Sequence, residues 1–200
     1  MLQRKPSEAR VDGRRVRGAD NRRRIVDALL KLVASGVVSP GAEQVAGEAG
    51  VALRTVFRHF ADMDSLYREI SERMTAEIQP IVQRPFKSED WRERLVELVD
   101  RRAQVFERLL PFKIAGDAHR FGSPFLTNEQ GAIVKSLRQA LRVALGSKVV
   151  DEKARFEALD LMLSFESWRR LRVDQGLSAR DARAVMLLGA ESLSARSSAR

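Results

Sequence analysis

The stretch AGVALRTVFRHF, Ala49–Phe60, sets two arginines, a threonine and a histidine among residues of core type, with Gly50 just ahead of them. Helical periodicity divides it into two faces. Val51, Val56 and Phe60 share one face and pair with Val45, Ala46 and Leu29 of the preceding segments. Leu53, Arg54, Thr55, Arg58 and part of His59 are left on the other. Taken alone, Arg54 and Arg58 are an ordinary solvated pair at i, i+4 spacing. The neighbouring sequence changes that reading. A short helical pattern after Pro40 carries Val45, Ala46 and Ala49 inward and is broken by Gly50. Two helices joined by so short a glycine turn make a helix-turn-helix unit, whose first helix crosses the DNA backbone while the second enters the major groove. Arg54 then stands at the leading end, where arginine pairs bidentately with guanine O6 and N7. Thr55, Arg58 and His59 suit phosphate oxygens, which fix register without reading sequence.

Working outward, the pattern stays helical in both directions. Upstream, Ile25, Ala28, Leu29, Leu32 and Val33 line one face of a helix from Asp20, and Gly36 ends it. Downstream, Asp62 caps a longer helix bearing Leu66, Ile70 and Met74, with Pro80 and Pro85 marking its end. Ser88 opens a helix to about Leu109; Pro111 starts a short segment, and His119–Pro124 reads as a loop. Thr127 and Gln130 form a capping box for a helix to Gly146. Asp151–Gln175 and Ser178–Ala195 are the last two helices, separated by Gly176. The prediction is an all-α fold of about nine helices. It divides into a basic flexible arm at 1–19, a three-helix DNA-binding domain at 20–65, and a second helical domain at 66–200.

Charge supports a polyanionic partner. Thirty-six lysines and arginines against twenty-seven acids give +9. Residues 1–24 hold nine of the cations and three of the acids, so +6 of that excess is concentrated there. Arg22, Arg23 and Arg24 are the arm's candidates for tracking the backbone or entering a minor groove. The chain has no cysteine, only two histidines (His59 and His119), and no phosphate-cradling glycine loop or metal-ligand spacing. No catalytic residue, metal site or cofactor is expected. No apolar run approaches the ~20 residues needed to span a membrane, and the N-terminus lacks a signal-peptide core, so the expectation is a cytoplasmic protein with no membrane partner.

Glu43–Ile70, EQVAGEAGVALRTVFRHFADMDSLYREI, resembles the DNA-binding signature of TetR-family transcriptional regulators. The matching elements are an apolar residue with alanine, then Ala-Gly-Val, Thr-apolar-aromatic, His-Phe, and a leucine opening the fourth helix. The likeness covers about residues 20–70. Beyond them it extends only to helix number and to a tryptophan-containing penultimate helix followed by Gly-Leu-Ser. The resemblance implies a homodimer that holds a palindromic operator in double-stranded DNA and is released, as a repressor, by an unknown small molecule. It makes 66–200 the ligand-binding and dimerisation domain and places DNA contacts on Leu53, Arg54, Thr55, Phe57, Arg58 and His59, with Glu43 and Gln44 on the helix that crosses the backbone. This chain departs from the family pattern in four ways. Phe57 stands where a tyrosine is usual, and Met63 where a lysine is common. Ala52 replaces a Ser/Thr cap, and Gly41-Ala42 open the second helix.

In the C-terminal half, Phe106, Phe112, Phe121, Phe125, Phe165 and Trp168 are candidate walls of a largely apolar pocket, each also at home in an ordinary core. Arg102, His119, Glu166 and Arg169 are its candidate polar contacts, although Glu166 could equally pair with Arg169 or Arg170 along its own helix. The last two helices are apolar on more than one face, as a two-fold four-helix interface requires. The competing reading is an all-α binding or enzymatic protein whose basic helix is only a solvated face.

Overall fold

A computed structural model describes the backbone of residues 7–146 and 152–195, and the side chains of residues 16–146 and 152–195. Every regular element among them is helical. Helix α1 spans Ser7–Ala34. It therefore begins well ahead of Asp20, and residues 7–19, read from the sequence as an arm, form its opening turns. The segment around Glu8, Ala9 and Arg10 consists of good helix formers, and helix propensity needs no apolar stripe. The side chains of Arg4, Lys5, Arg10, Arg14 and Arg15 lie outside the described residues.

Helix α2 (Ala42–Ala49) starts at Gly41, whose backbone N–H donates to Gln44 Oε1 at 3.0 Å. It stops at Gly50, held at φ +63°, the left-handed geometry that closes a helix and that glycine adopts without strain. Helix α3 (Leu53–His59) follows at once, with no side-chain cap at Ala52. Helix α4 (Met63–Val82) is capped by Asp62, whose carboxylate accepts from the Ser65 N–H at 2.8 Å. It continues through Pro80 to Val82.

Helix α5 (Trp91–His119) is capped by Asp90, which accepts from the Arg92 and Glu93 N–H groups at 2.8 and 3.2 Å. Ser88 instead receives the Asp90 N–H. The helix continues past Pro111, which gives up one backbone hydrogen bond but does not break the chain of turns. A 3₁₀ turn at Arg120–Gly122 leads to α6 (Pro124–Leu145), capped by the buried Ser123 through the Leu126 N–H rather than by Thr127.

The expected single helix at 151–175 is divided. Helix α7 (Lys153–Met162) stops, Ser164 accepts from the Ser167 N–H at 3.1 Å, and α8 (Phe165–Arg169) begins and passes into a π turn at Arg170–Asp174. A serine hydroxyl that satisfies the new helix's first amides is what makes the interruption cheap. Ser178 caps the last helix, α9 (Ala179–Ser194), through the Asp181 N–H. The Asp151 start and the tail at 196–200 lie outside the described residues.

The chain forms two compact units. The first comprises residues up to Met74 together with Pro111–Leu126. Its core is Ile25, Leu29, Val33, Val45, Ala46, Val56, Phe60 and Leu66, where α1 packs on both α2 and α3. The second comprises Thr75–Leu110 and the residues from Thr127 onward. Its core gathers Leu95, Val99, Phe106, Leu141, Leu145, Phe156, Leu159, Leu163, Trp168 and Met186. Residues 111–126, assigned from sequence to the second domain, thus build part of the first unit.

Candidate nucleic-acid interface

The α2–turn–α3 unit takes its shape from local chemistry. Gly50 permits the left-handed turn, and its N–H bonds the Ala46 and Gly47 carbonyls. Val45, Ala46 and Ala49 from α2 and Val56 from α3 are buried against α1, which fixes the outward face of α3. Arg54, Phe57 and Arg58 lie on that face; Phe57 is 51% exposed and Leu53 36%. Thr55 differs from the sequence reading: only 8% exposed, it faces the core side and not outward. A threonine methyl is easily buried, and hydrophobic periodicity over a seven-residue helix places the boundary between faces only coarsely. His59 is also mostly turned in. Its Nε2 is buried and unbonded, and a Cβ on Gly18 of α1 would stand 3.9 Å from its ring. Burial first, then the positive charges of Arg58 and Arg22, hold the imidazole below its usual pKa of 6.5.

The cations divide into two sets. Arg22, Arg23, Arg24 and Lys31 of α1 and Arg73 of α4 serve the unit itself, whereas Arg17 of α1 is exposed. Arg22 pairs with Glu69, donates to the His59 carbonyl at 2.9 Å, and lies 4.5 Å from the Phe60 ring centroid. Arg24 reaches toward the Gly50 carbonyl at 3.5 Å, Arg23 pairs with Asp20 at 2.5 Å, Arg73 with Asp27, and Lys31 with Glu48. Arg54 and Arg58 are otherwise: exposed, with no hydrogen bond or ion pair within the described residues. On α2, Glu43 is exposed, while Gln44 spends its carbonyl oxygen on the α2 start.

The residues assigned from sequence to a ligand pocket do not form one group. Phe106 meets Phe165 edge-on at 5.6 Å and Trp168 at 6.5 Å, all three buried in the second unit. Arg102 is buried beside them and donates to the Leu163 carbonyl at 2.7 Å and the Leu137 carbonyl at 2.6 Å. Burial lowers its pKa to about 10, against the opposing pull of Asp160. Glu166 accepts from Gln130 at 3.0 Å, and Arg169 faces Asp174 at 3.7 Å. Phe112, His119, Phe121 and Phe125 belong to the first unit. There His119 Nε2 is 3.0 Å from Ser39 Oγ, and its ring centroid lies 5.2 Å from that of Tyr67. Phe125 carries the Arg68 guanidinium at 4.1 Å, and Phe121 is almost fully exposed. A groove of about 330 Å³ lies instead between the start of α5 and the end of α9, lined by Arg92, Leu95, Val96, Leu187 and Ala190. Sequence reasoning missed the Ser39–His119–Tyr67 cluster, because contacts across so many residues leave no periodic trace. Burial drives the Tyr67 hydroxyl, itself unbonded, up to about 12.

The architecture has a solved counterpart. A transcriptional regulator from Rhodococcus sp. Rha1, known from a crystal structure, matches 86% of this chain and 95% of its own with a TM-score of 0.66 at 15% identity. At that identity the likeness is one of fold. No protein-family model and no curated protein matches the chain. No helix among the described residues is long and apolar enough to cross a membrane.

Proposed function

We propose that this chain is a sequence-specific DNA-binding transcriptional regulator of the TetR type, with α3 as the helix that enters the major groove. One observation carries the reading. Arg54 and Arg58 are exposed and unpaired on α3, while Arg22, Arg23, Arg24 and Lys31 of α1 each have a partner within the unit. A merely solvated face gives no reason for that division of labour. The fold shared with a Rhodococcus transcriptional regulator agrees with it. Arg54 reads a base edge, Arg58 holds a phosphate, and Leu53 and Phe57 complete the contact face. Glu43 and Gln44 lie where α2 crosses the backbone. Arg22 and Arg24 act chiefly by fixing α3, so any contribution of the N-terminal arm to DNA affinity falls to the residues ahead of them.

The protein acts as a homodimer on a palindromic operator. Leu161 and Leu188 are 71% and 66% exposed, on α7 and α9, where the Met162 side chain covers Gly189 closely enough that a Cβ there would lie 2.9 Å from it. An apolar pair so open on two packed helices is suited to a second copy. A small molecule received by the second unit, near Phe106, Phe165 and Trp168, releases the operator, and the outcome is repression. Gel shift with palindromic duplexes from the chain's own promoter region tests the reading. Binding should demand two half-sites at a fixed spacing of about one helical turn. Failure to bind any duplex, or sedimentation as a monomer at micromolar concentration, would refute it.

A further inference from the structure

The outward face of α3 carries two stripes, each at i, i+4 spacing: Arg54 with Arg58, and Leu53 with Phe57. The cationic stripe is unpaired, and the apolar stripe is open to solvent. A phenylalanine half exposed between two unpaired arginines costs solubility, while the α3 residues buried in the core are Thr55 and Val56. In the major groove, one feature of a base edge is apolar: the C5-methyl group of thymine. The guanidinium groups bring the helix to a polyanion, so the apolar stripe beside them meets the groove floor and not a protein partner. Phe57 has no hydroxyl to offer a phosphate, which leaves apolar contact as its available chemistry.

We infer that Leu53 and Phe57 form a thymine-methyl reader, so that each operator half-site pairs a guanine under Arg54 with a thymine under Phe57. The inference rests on the DNA-binding reading above and extends it to the chemistry of the recognised base.

The test begins with in vitro selection of random-sequence duplex by the full-length chain. Each thymine of the selected half-site is then replaced by deoxyuridine, which removes the methyl and nothing else. One position per half-site should weaken binding by about fourfold, the effect of a buried methyl-sized group. That penalty should disappear in Phe57→Ala, and shrink in Leu53→Ala, which supplies the comparison if Phe57→Ala no longer binds. Phe57 is half covered and Leu53 about two-thirds covered, so urea unfolding of each variant first establishes that the fold is kept. Deoxyuridine without effect at every position would overturn the inference while leaving DNA binding intact. A penalty that persists unchanged in both variants would overturn it too, since another group would then read the methyl. If no duplex is enriched, the DNA-binding reading itself falls, and the inference with it.

Discussion

Arg22 of α1 clasps the end of α3: its guanidinium sits 4.5 Å from the Phe60 ring centroid and donates to the His59 carbonyl at 2.9 Å. An ion pair with Glu69 of α4 completes the clasp. One side chain therefore joins three helices at the point where the candidate recognition helix ends. Arg22→Ala should cost about 1–2 kcal/mol of unfolding stability, most of it from the cation–π contact and the carbonyl bond, since so exposed an ion pair adds little. Urea unfolding measures the loss. Arg22→Lys should recover only part of it, because an ammonium cannot stack and fork at once.

Gly50→Ala probes the turn. The residue sits at φ +63°, and a Cβ there would come within 2.9 Å of Arg24 Nη2. The arginine tip can move aside, so the backbone carries the penalty, expected at about 1–2 kcal/mol. Gly47→Ala, at a helical position with nothing within 4 Å, is the control and should be neutral or slightly stabilising.

Arg102 holds the break between α7 and α8 by bonding the Leu163 carbonyl. Arg102→Ala leaves that carbonyl and the Leu137 carbonyl without their donor and opens a cavity, and should cost about 2–4 kcal/mol. Arg102→Met restores the volume without the charge and should cost less. Denaturant titrations of the two variants give the comparison; equal losses would show that the hydrogen bonds matter and the volume does not.

His59 makes the first unit sensitive to mild acid. Its folded pKa lies below the ordinary 6.5, so the unfolded chain binds the proton more readily. Stability from this group is complete above 6.5 and declines as pH falls from there toward the folded value. Urea midpoints at about pH 7.5 and about pH 5.5 should differ more for the native chain than for His59→Gln. Equal differences would exclude the imidazole as the source.

Much of this was legible in the sequence, for identifiable reasons. The α2–turn–α3 unit announces itself through Gly50 and through Val45, Ala46 and Val56 at helical spacing, all local signals. Pro111 misled because proline usually ends a helix, yet α5 passes through it. The division at Ser164 was hidden because a serine within a helical pattern reads as an ordinary polar position; only the Ser167 N–H that it accepts, and the Arg102 bond to the neighbouring Leu163 carbonyl, reveal the break. The α1 arginines were the hardest to read. Composition counts Arg22 and Arg24 as available charge, and only tertiary contacts show that Phe60, Glu69 and Gly50 hold them.

The most direct measurement is fluorescence anisotropy of the selected duplex with Arg54→Ala and Arg58→Ala, each variant shown by urea unfolding to be as stable as the native chain. Arg54→Ala should cost about 1–3 kcal/mol and relax preference at one base pair per half-site. Arg58→Ala should weaken binding to all duplexes alike and reduce the salt slope by about one. Unchanged affinity in both variants would contradict the account, leaving the basic face of α3 a solvated surface.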